Sequence, residues 1–204
     1  MNVVVFSPHP DDAEVMMGGT IAKYAQKGHN VSIVLVTIPN QKEKRRDESK
    51  KAAAILGANL SVLDLNPYEL VYNRSLVEIF DQVIKDSQPD IIYTSWIHDS
   101  HQDHITVSKA SITAARKNNC SLYMYDQGLP SGLDSYAFRA QAFADISGTM
   151  EIKVKGISAH DSQVQKYGQR WIQGIMARAT YLGYRINTKY AEAFEVVREI
   201  ERIY

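Results

Sequence analysis

Residues 2–37 read NVVVFSPHPDDAEVMMGGTIAKYAQKGHNVSIVLVT, and this stretch decides the fold class. Val3–Phe6 is a short, unbroken, β-branched apolar run, the mark of a strand covered on both faces. Gly18-Gly19-Thr20 introduces a helical stretch, Ile21–Lys27, which Gly28 stops. Val31–Thr37 is again a continuous apolar run. Two buried strands joined through a helix make a parallel βαβ unit.

The same alternation continues outward. Glu43–Leu56 has helical character, charged at first and Ala-rich later, with Gly57 as its stop. Leu60–Leu63 is a third strand. Arg74–Ser87 carries Leu76, Val77, Phe80, Val83 and Ile84 at helical spacing, with Pro89 just beyond. Asp90–Thr94 reads as a fourth strand, His104–Lys117 as a helix and Ser121–Tyr125 as a fifth strand. Strands alternating with helices predict an α/β fold: a Rossmann-like, doubly wound, mostly parallel sheet with helices on both faces. In the common order, strand 4 lies beside strand 1, so residues following those two strands meet in one crevice at the sheet's carboxyl edge.

The pattern weakens from Gly128 to Gly156. Arg170–Thr180 has helical spacing, and Tyr190–Tyr204 reads as a terminal helix with a charged face. With no repeat, low-complexity tract or linker, a single domain over residues 1–204 is expected.

Bulk composition narrows the function classes. The chain is 45% hydrophobic and 23% charged, ordinary for a globular protein. Its 23 basic and 23 acidic residues cancel, which argues against a general nucleic-acid binder. Cys120 is the single cysteine, so no internal disulfide can form, and a small buried side chain is expected there. No apolar run approaches the ~20 residues that would span a bilayer. The opening Met1–Phe6 lacks the basic start and long apolar run of a signal peptide, so a cytoplasmic location is expected.

Two clusters carry the chemistry. Ser7-Pro8-His9-Pro10-Asp11-Asp12-Ala13-Glu14 directly follows strand 1, and His98-Asp99-Ser100-His101-Gln102-Asp103-His104 follows strand 4. Each combines imidazole with carboxylate, the ligand types of a divalent transition metal. They are distant in the chain, yet the expected topology brings both to one crevice. Of two adjacent carboxylates on a tight loop, one can ligate an ion while its neighbour takes a proton from the attacking water. A histidine opposite can stabilise an oxyanion or protonate a leaving group. The bland alternative makes Asp11 a helix-start residue and His98 an exposed loop residue.

At these residues the chain resembles the LmbE-like/PIG-L superfamily of N-acetylglucosaminyl deacetylases. His9-Pro10-Asp11-Asp12-x-Glu14 with Gly18-Gly19-Thr20 is similar to the family's first motif, and His101-x-Asp103-His104 to its second, with Gln102 where proline is frequent. Arg46-x-Glu48 leading to Ala53 and Leu56-Gly57 also fits, as do Lys153, His160-Asp161-Ser162-Gln163 and Tyr190-Ala191-Glu192-Ala193-Phe194. The resemblance implies zinc, or another divalent ion such as iron(II), bound by His9, Asp12 and His104. It implies Asp11 as general base, His101 as stabiliser of the tetrahedral intermediate, and Asp103 as the carboxylate orienting a neighbouring histidine. The implied substrate is a small N-acetylated amino-sugar conjugate, hydrolysed to acetate and a free amine. Glu14, Arg46 and His160 are candidate sugar contacts, though each could equally brace the structure.

The run Lys42–Arg46 reads as a solvated helix face, or, if turned to the crevice, as a feature suiting an anionic substrate. Rival functions are an amidase of a related sugar conjugate with the same centre and a non-catalytic sugar- or nucleotide-binding module. Against the second, the first turn lacks G-x-G-x-x-G. A magnesium phosphoesterase is disfavoured, because Mg²⁺ prefers carboxylate and water over imidazole. Self-association through the C-terminal segment stays open.

Overall fold

The computed structural model describes residues 1–126 and 136–201. Strands β1 (Asn2–Ser7), β2 (Asn30–Thr37), β3 (Asn59–Leu65), β4 (Ile91–Ser95), β5 (Ser121–Tyr125), β6 (Ala142–Asp145) and β7 (Ala191–Arg198) form one sheet in the order β3-β2-β1-β4-β5-β7-β6. The first five strands are parallel, β7 runs antiparallel to β5, and β6 antiparallel to β7. Strand 4 lies beside strand 1, as the doubly wound order requires.

Alternation along β1 sorts the core into two halves. Val3 and Val5 pack beneath α1 (Asp12–Gln26), α2 (Lys42–Leu56), α5 (Met150–Ser158) and α7 (Gln169–Arg185). Val4 and Phe6 face the other way, against α3 (Arg74–Ser87) and α4 (Gln102–Ala115), where Phe6 stacks on Phe80 at 4.5 Å. A short helix, α6 (Asp161–Tyr167), completes the set. Cys120 is fully buried. No described helix is long and apolar enough to cross a membrane.

Two expectations are corrected. The segment from Tyr190 is not a terminal helix: Ala191–Arg198 is strand β7, and residues 202–204 lie outside the described residues. Three of the charges that resembled a solvated helix face, Glu192, Glu195 and Arg198, are buried or half-buried with partners. Glu195 accepts from the Trp96 indole at 3.1 Å and from the Arg139 guanidinium at 2.7 Å. Arg198 donates to the carbonyls of Asn118 and Cys120 at 2.8 and 2.9 Å.

The second correction concerns α1, which begins at Asp12 rather than Ile21 and is kinked at Met17 (φ −141, ψ 20). The kink coincides with amide N–H groups turned to a side chain, and Glu192 of β7 collects them. Its carboxylate accepts from the Gly19 and Thr20 amides at 3.0 and 2.7 Å, from the Thr20 hydroxyl at 2.5 Å and from the Lys153 ammonium at 2.5 Å. Gly19 is required here, because a Cβ would come within 2.8 Å of Ile146. Burial pushes the Lys153 ammonium below its ordinary pKa, against the opposing pull of Glu192. Removing one partner of a buried pair leaves the other unpaired, so Glu192→Ala should destabilise the fold by about 3–5 kcal/mol. Urea unfolding monitored by circular dichroism checks this; a midpoint within error of wild type would refute the role given to Glu192.

Candidate metal centre

Parallel pairing of β1 and β4, with Val3 opposite Ile91 and Val5 opposite Tyr93, places their outgoing loops at one edge. The first loop is pinned from both sides. The Ser7 hydroxyl donates to the His9 carbonyl at 2.8 Å and accepts from the Ala13 amide at 3.2 Å. The Thr37 amide of β2 donates to the Pro8 carbonyl at 3.0 Å. Asp11, at the start of α1, sits in the left-handed region (φ 92), which a non-glycine residue tolerates best as Asp or Asn. Its carboxylate lies 3.8 Å from the Arg45 guanidinium, whereas that of Asp12 meets the histidines. One backbone distortion thus accompanies two adjacent carboxylates with different neighbours.

The second loop is equally constrained. The Ser95 hydroxyl donates to the His104 carbonyl at 2.8 Å. His101 caps α4, with Nδ1 accepting from the Asp103 amide at 3.2 Å. In the neutral ring Nε2 is therefore the protonated nitrogen, a donor.

Three donor atoms converge between the loops. His9 Nδ1, His104 Nε2 and Asp12 Oδ2 are separated by 3.3, 3.1 and 3.3 Å. Ligands of a tetrahedral zinc at ~2.0 Å stand about 3.3 Å from one another, so the triangle fits such an ion. The far nitrogens agree. His9 Nε2 donates to Asp103 at 3.0 Å, and His104 Nδ1 donates to Asp99 at 2.8 Å. In the neutral form of each ring the lone pair falls on the converging nitrogen, and each ring is oriented by a carboxylate as metal-binding imidazoles usually are. His101 offers a third ring nitrogen, all three lying within 4.8 Å of one another. Asp12 is closer to the pair and His101 is exposed, so Asp12 completes the better triangle.

The field of the carboxylates favours positive charge at this point. Burial opposes a charge on His9, but the hydrogen bonds to Asp103 and Asp12 prevail and raise its pKa to about 9. Burial is likewise outweighed at His104 by Asp12 and Asp99, which raise it to about 10. Asp12 is held well below the carboxylate range by the two histidines in spite of its burial. Asp11 behaves oppositely: burial, then the Asp12 charge, push it up to about 7. Burial and the neighbouring imidazoles hold His101 below the ordinary histidine value.

These groups line a cavity of about 350 Å³ whose wall also includes Arg45, Gln163, Lys166, Tyr167 and Trp171. His9, Asp11, Asp12, His101, Asp103 and His104 are thus brought together. The other candidates are not at the wall. Glu14 and His160 are buried behind it, 3.4 Å apart. Arg46 does not line the cavity: it pairs with Asp64 at 3.0 Å and with Glu43 at 3.5 Å. Its neighbour Arg45 faces the cavity instead, donating to the Pro10 carbonyl at 3.0 Å. Lys42 also pairs with Asp64, at 2.8 Å, so Arg45 is the member of that charge run lining this cavity. Arg45 and Asp99 are residues of this cavity to which the sequence reading gave no role. The first had a signal, since α2 buries Arg45, Glu48, Ser49, Ala52, Ala53 and Leu56 as one helical stripe.

Residues 4–115, more than half of the chain, match the family model described as GlcNAc-PI de-N-acetylase, PIG-L. The chain belongs to the PIG-L family. Among PIG-L relatives, the diacetylchitobiose deacetylase of Thermococcus kodakarensis is 28% identical over 222 residues, covering 96% of this chain and 82% of the relative. A conserved protein of Thermus thermophilus superposes with a TM-score of 0.85 at 22% identity, covering 100% of this chain and 97% of that one. The 4-carboxy-2-hydroxymuconate hydratase GalB of Pseudomonas putida superposes with a TM-score of 0.82 at 20% identity, with both chains fully covered. The fold therefore hosts more than one reaction, and the site must select among them.

Proposed function

We propose that this PIG-L protein hydrolyses the N-acetyl amide of an N-acetylglucosamine-type sugar conjugate, with a divalent ion held by His9, Asp12 and His104. The observation that carries this reading is the triangle of donor atoms at 3.1–3.3 Å, backed by Asp103 and Asp99, with a second carboxylate, Asp11, on the same cavity wall. Imidazole and carboxylate suit zinc or iron(II). When bound, such an ion supplies a Lewis acid that polarises the amide carbonyl and makes water a nucleophile near neutral pH.

The remaining work belongs to the chain. Asp11 takes a proton from the attacking water as its oxygen adds to the carbonyl carbon. The Nε2–H of His101 hydrogen-bonds to the developing oxyanion. Asp103 and Asp99 keep the two ring nitrogens facing the ion. The C–N bond then breaks, and the proton held by Asp11 passes to the nitrogen, so that one water and one amide give acetate and a free amine. Arg45, beside Asp11, is placed to hold sugar hydroxyls. The name of the Thermococcus relative supports an N-acetylated amino sugar as the substrate.

The test is acetate and primary-amine release from N-acetylglucosamine and N,N'-diacetylchitobiose by protein supplied with zinc or iron(II). Equal amounts of both products, abolished by a chelator and restored by the ion, are expected. An ion-loaded protein that releases neither from any N-acetylated sugar would overturn the assignment.

A further inference from the structure

A cavity of about 300 Å³ lies between the last turn of α1 and the antiparallel β6–β7 pair. At 1.5 Å per residue, its Tyr24 is about 18 Å along α1 from Asp12. Among the described residues, it shares none with the metal cavity. Its volume is at the lower end of ligand sites, roughly 300–1,000 Å³, and suits a single ring. The sequence makes the room. Ala142 and Ala144 share one face of β6, packed on the cluster that holds Tyr93, Tyr123 and Phe194. Alanines there leave empty the space that the bulky side chains usual in strands would fill.

What the walls offer a guest is mostly donors. The Tyr24 and Tyr93 hydroxyls meet at 3.0 Å. Two hydroxyls carry two hydrogens and this bond uses one, so among the described residues one O–H is left without an acceptor. Tyr93 is only 4% exposed, and an idle donor so deeply placed is costly unless something accepts from it. Burial pushes both hydroxyls above the ordinary tyrosine pKa, so both keep their protons. Lys23 spends one of its three N–H groups on the Asp145 carbonyl at 2.6 Å. Lys27 is exposed and, among the described residues, has no acidic group within ion-pair distance. The nearby acids are already engaged. The Asp145 carboxylate accepts from the Ser147 amide and hydroxyl at 2.9 and 2.6 Å, and Glu199 accepts from the Tyr123 hydroxyl at 3.2 Å.

The apolar part of the wall is aromatic. Tyr93 stacks on Tyr123 at 5.4 Å and meets Phe194 at 4.8 Å. Such rings have positive edges and negative faces, and they take up a further ring edge-to-face or offset. None of these groups serves the metal centre.

We propose that this cavity is a second binding site, for a small monocyclic aromatic carboxylate. The ring lies among the tyrosines, and the carboxylate accepts the spare hydroxyl hydrogen and faces Lys23 and Lys27. The site stands independently of the deacetylase reading.

The experiment is isothermal titration calorimetry of the ion-loaded full chain with benzoate, benzamide and cyclohexanecarboxylate. One benzoate per chain is expected, with the neutral amide and the non-aromatic acid at least tenfold weaker. Ala142→Phe, which fills the cavity, should weaken benzoate at least tenfold. The double variant Lys23→Gln/Lys27→Gln should weaken benzoate about tenfold and leave benzamide little changed. Both variants should hold as much metal as the wild type. Should Ala142→Phe fail to fold, the lysine variant alone decides. Wild type that ignores benzoate, or a lysine variant that binds it unchanged, would overturn the site. Cyclohexanecarboxylate binding as well as benzoate would overturn the aromatic class. Binding that survives both variants and disappears in His104→Ala would place the carboxylate on the metal centre and overturn the proposal as well.

Discussion

Asp11→Asn is expected to keep the metal and lose turnover by roughly 10²–10⁴-fold, the usual contribution of a general base. Asparagine is the replacement of choice, because it matches aspartate in size and also tolerates the left-handed backbone at φ 92. The triangle of His9, Asp12 and His104 does not include Asp11, so one ion per chain should remain by elemental analysis. KM should move little, since the loss lies in proton transfer rather than in sugar binding. A variant within threefold of wild-type kcat would remove Asp11 from the mechanism. A variant that lost its metal as well would instead make Asp11 a ligand.

His104→Ala is expected to lose ion and activity together. Its Nε2 is one corner of the triangle, and Asp12 and His9 alone cannot close a three-ligand site. The fall in metal affinity should exceed the ~10–100-fold that removing a ligand's supporting carboxylate costs. Elemental analysis after dialysis gives the ion content, and acetate release gives the activity. Retention of a full equivalent of metal in His104→Ala would move the centre elsewhere, with His101 the first residue to test. The two variants together separate holding the ion from using it.

Much of this was legible in the chain itself. The β-branched runs of β1, β2 and β4 have one physical outcome, a strand buried on both faces, and alternation with helices then sets the order that joins the two motif loops. What escaped were cases where a charge reads as exposed but is buried against a partner distant in sequence. Glu192, Glu195 and Arg198 turned strand β7 into an apparent helix face, because their partners Lys153, Arg139 and the carbonyls near Cys120 cannot be paired with them by inspection. Arg45 and Arg46 differ only in rotation about α2. Extending the stripe of Ala52, Ala53 and Leu56 back by two turns selects Arg45, and that step was available from periodicity. Asp99 had no such signal, since its role depends on a loop conformation that carries it to His104 Nδ1.

The clasp that Glu192 and Lys153 place on Gly19 and Thr20 bears on how such a chain can be divided. All three candidate ligands fall within residues 4–115, the portion the family model recognises. The helix that presents Asp12 is nevertheless gripped by Glu192, itself paired with Lys153, both from beyond residue 150. Chemistry and scaffold are separable on paper and interlocked in space. A chimera that grafts the N-terminal part of one relative onto the C-terminal part of another must therefore carry four positions as one unit: the glycine, the threonine, the lysine and the glutamate.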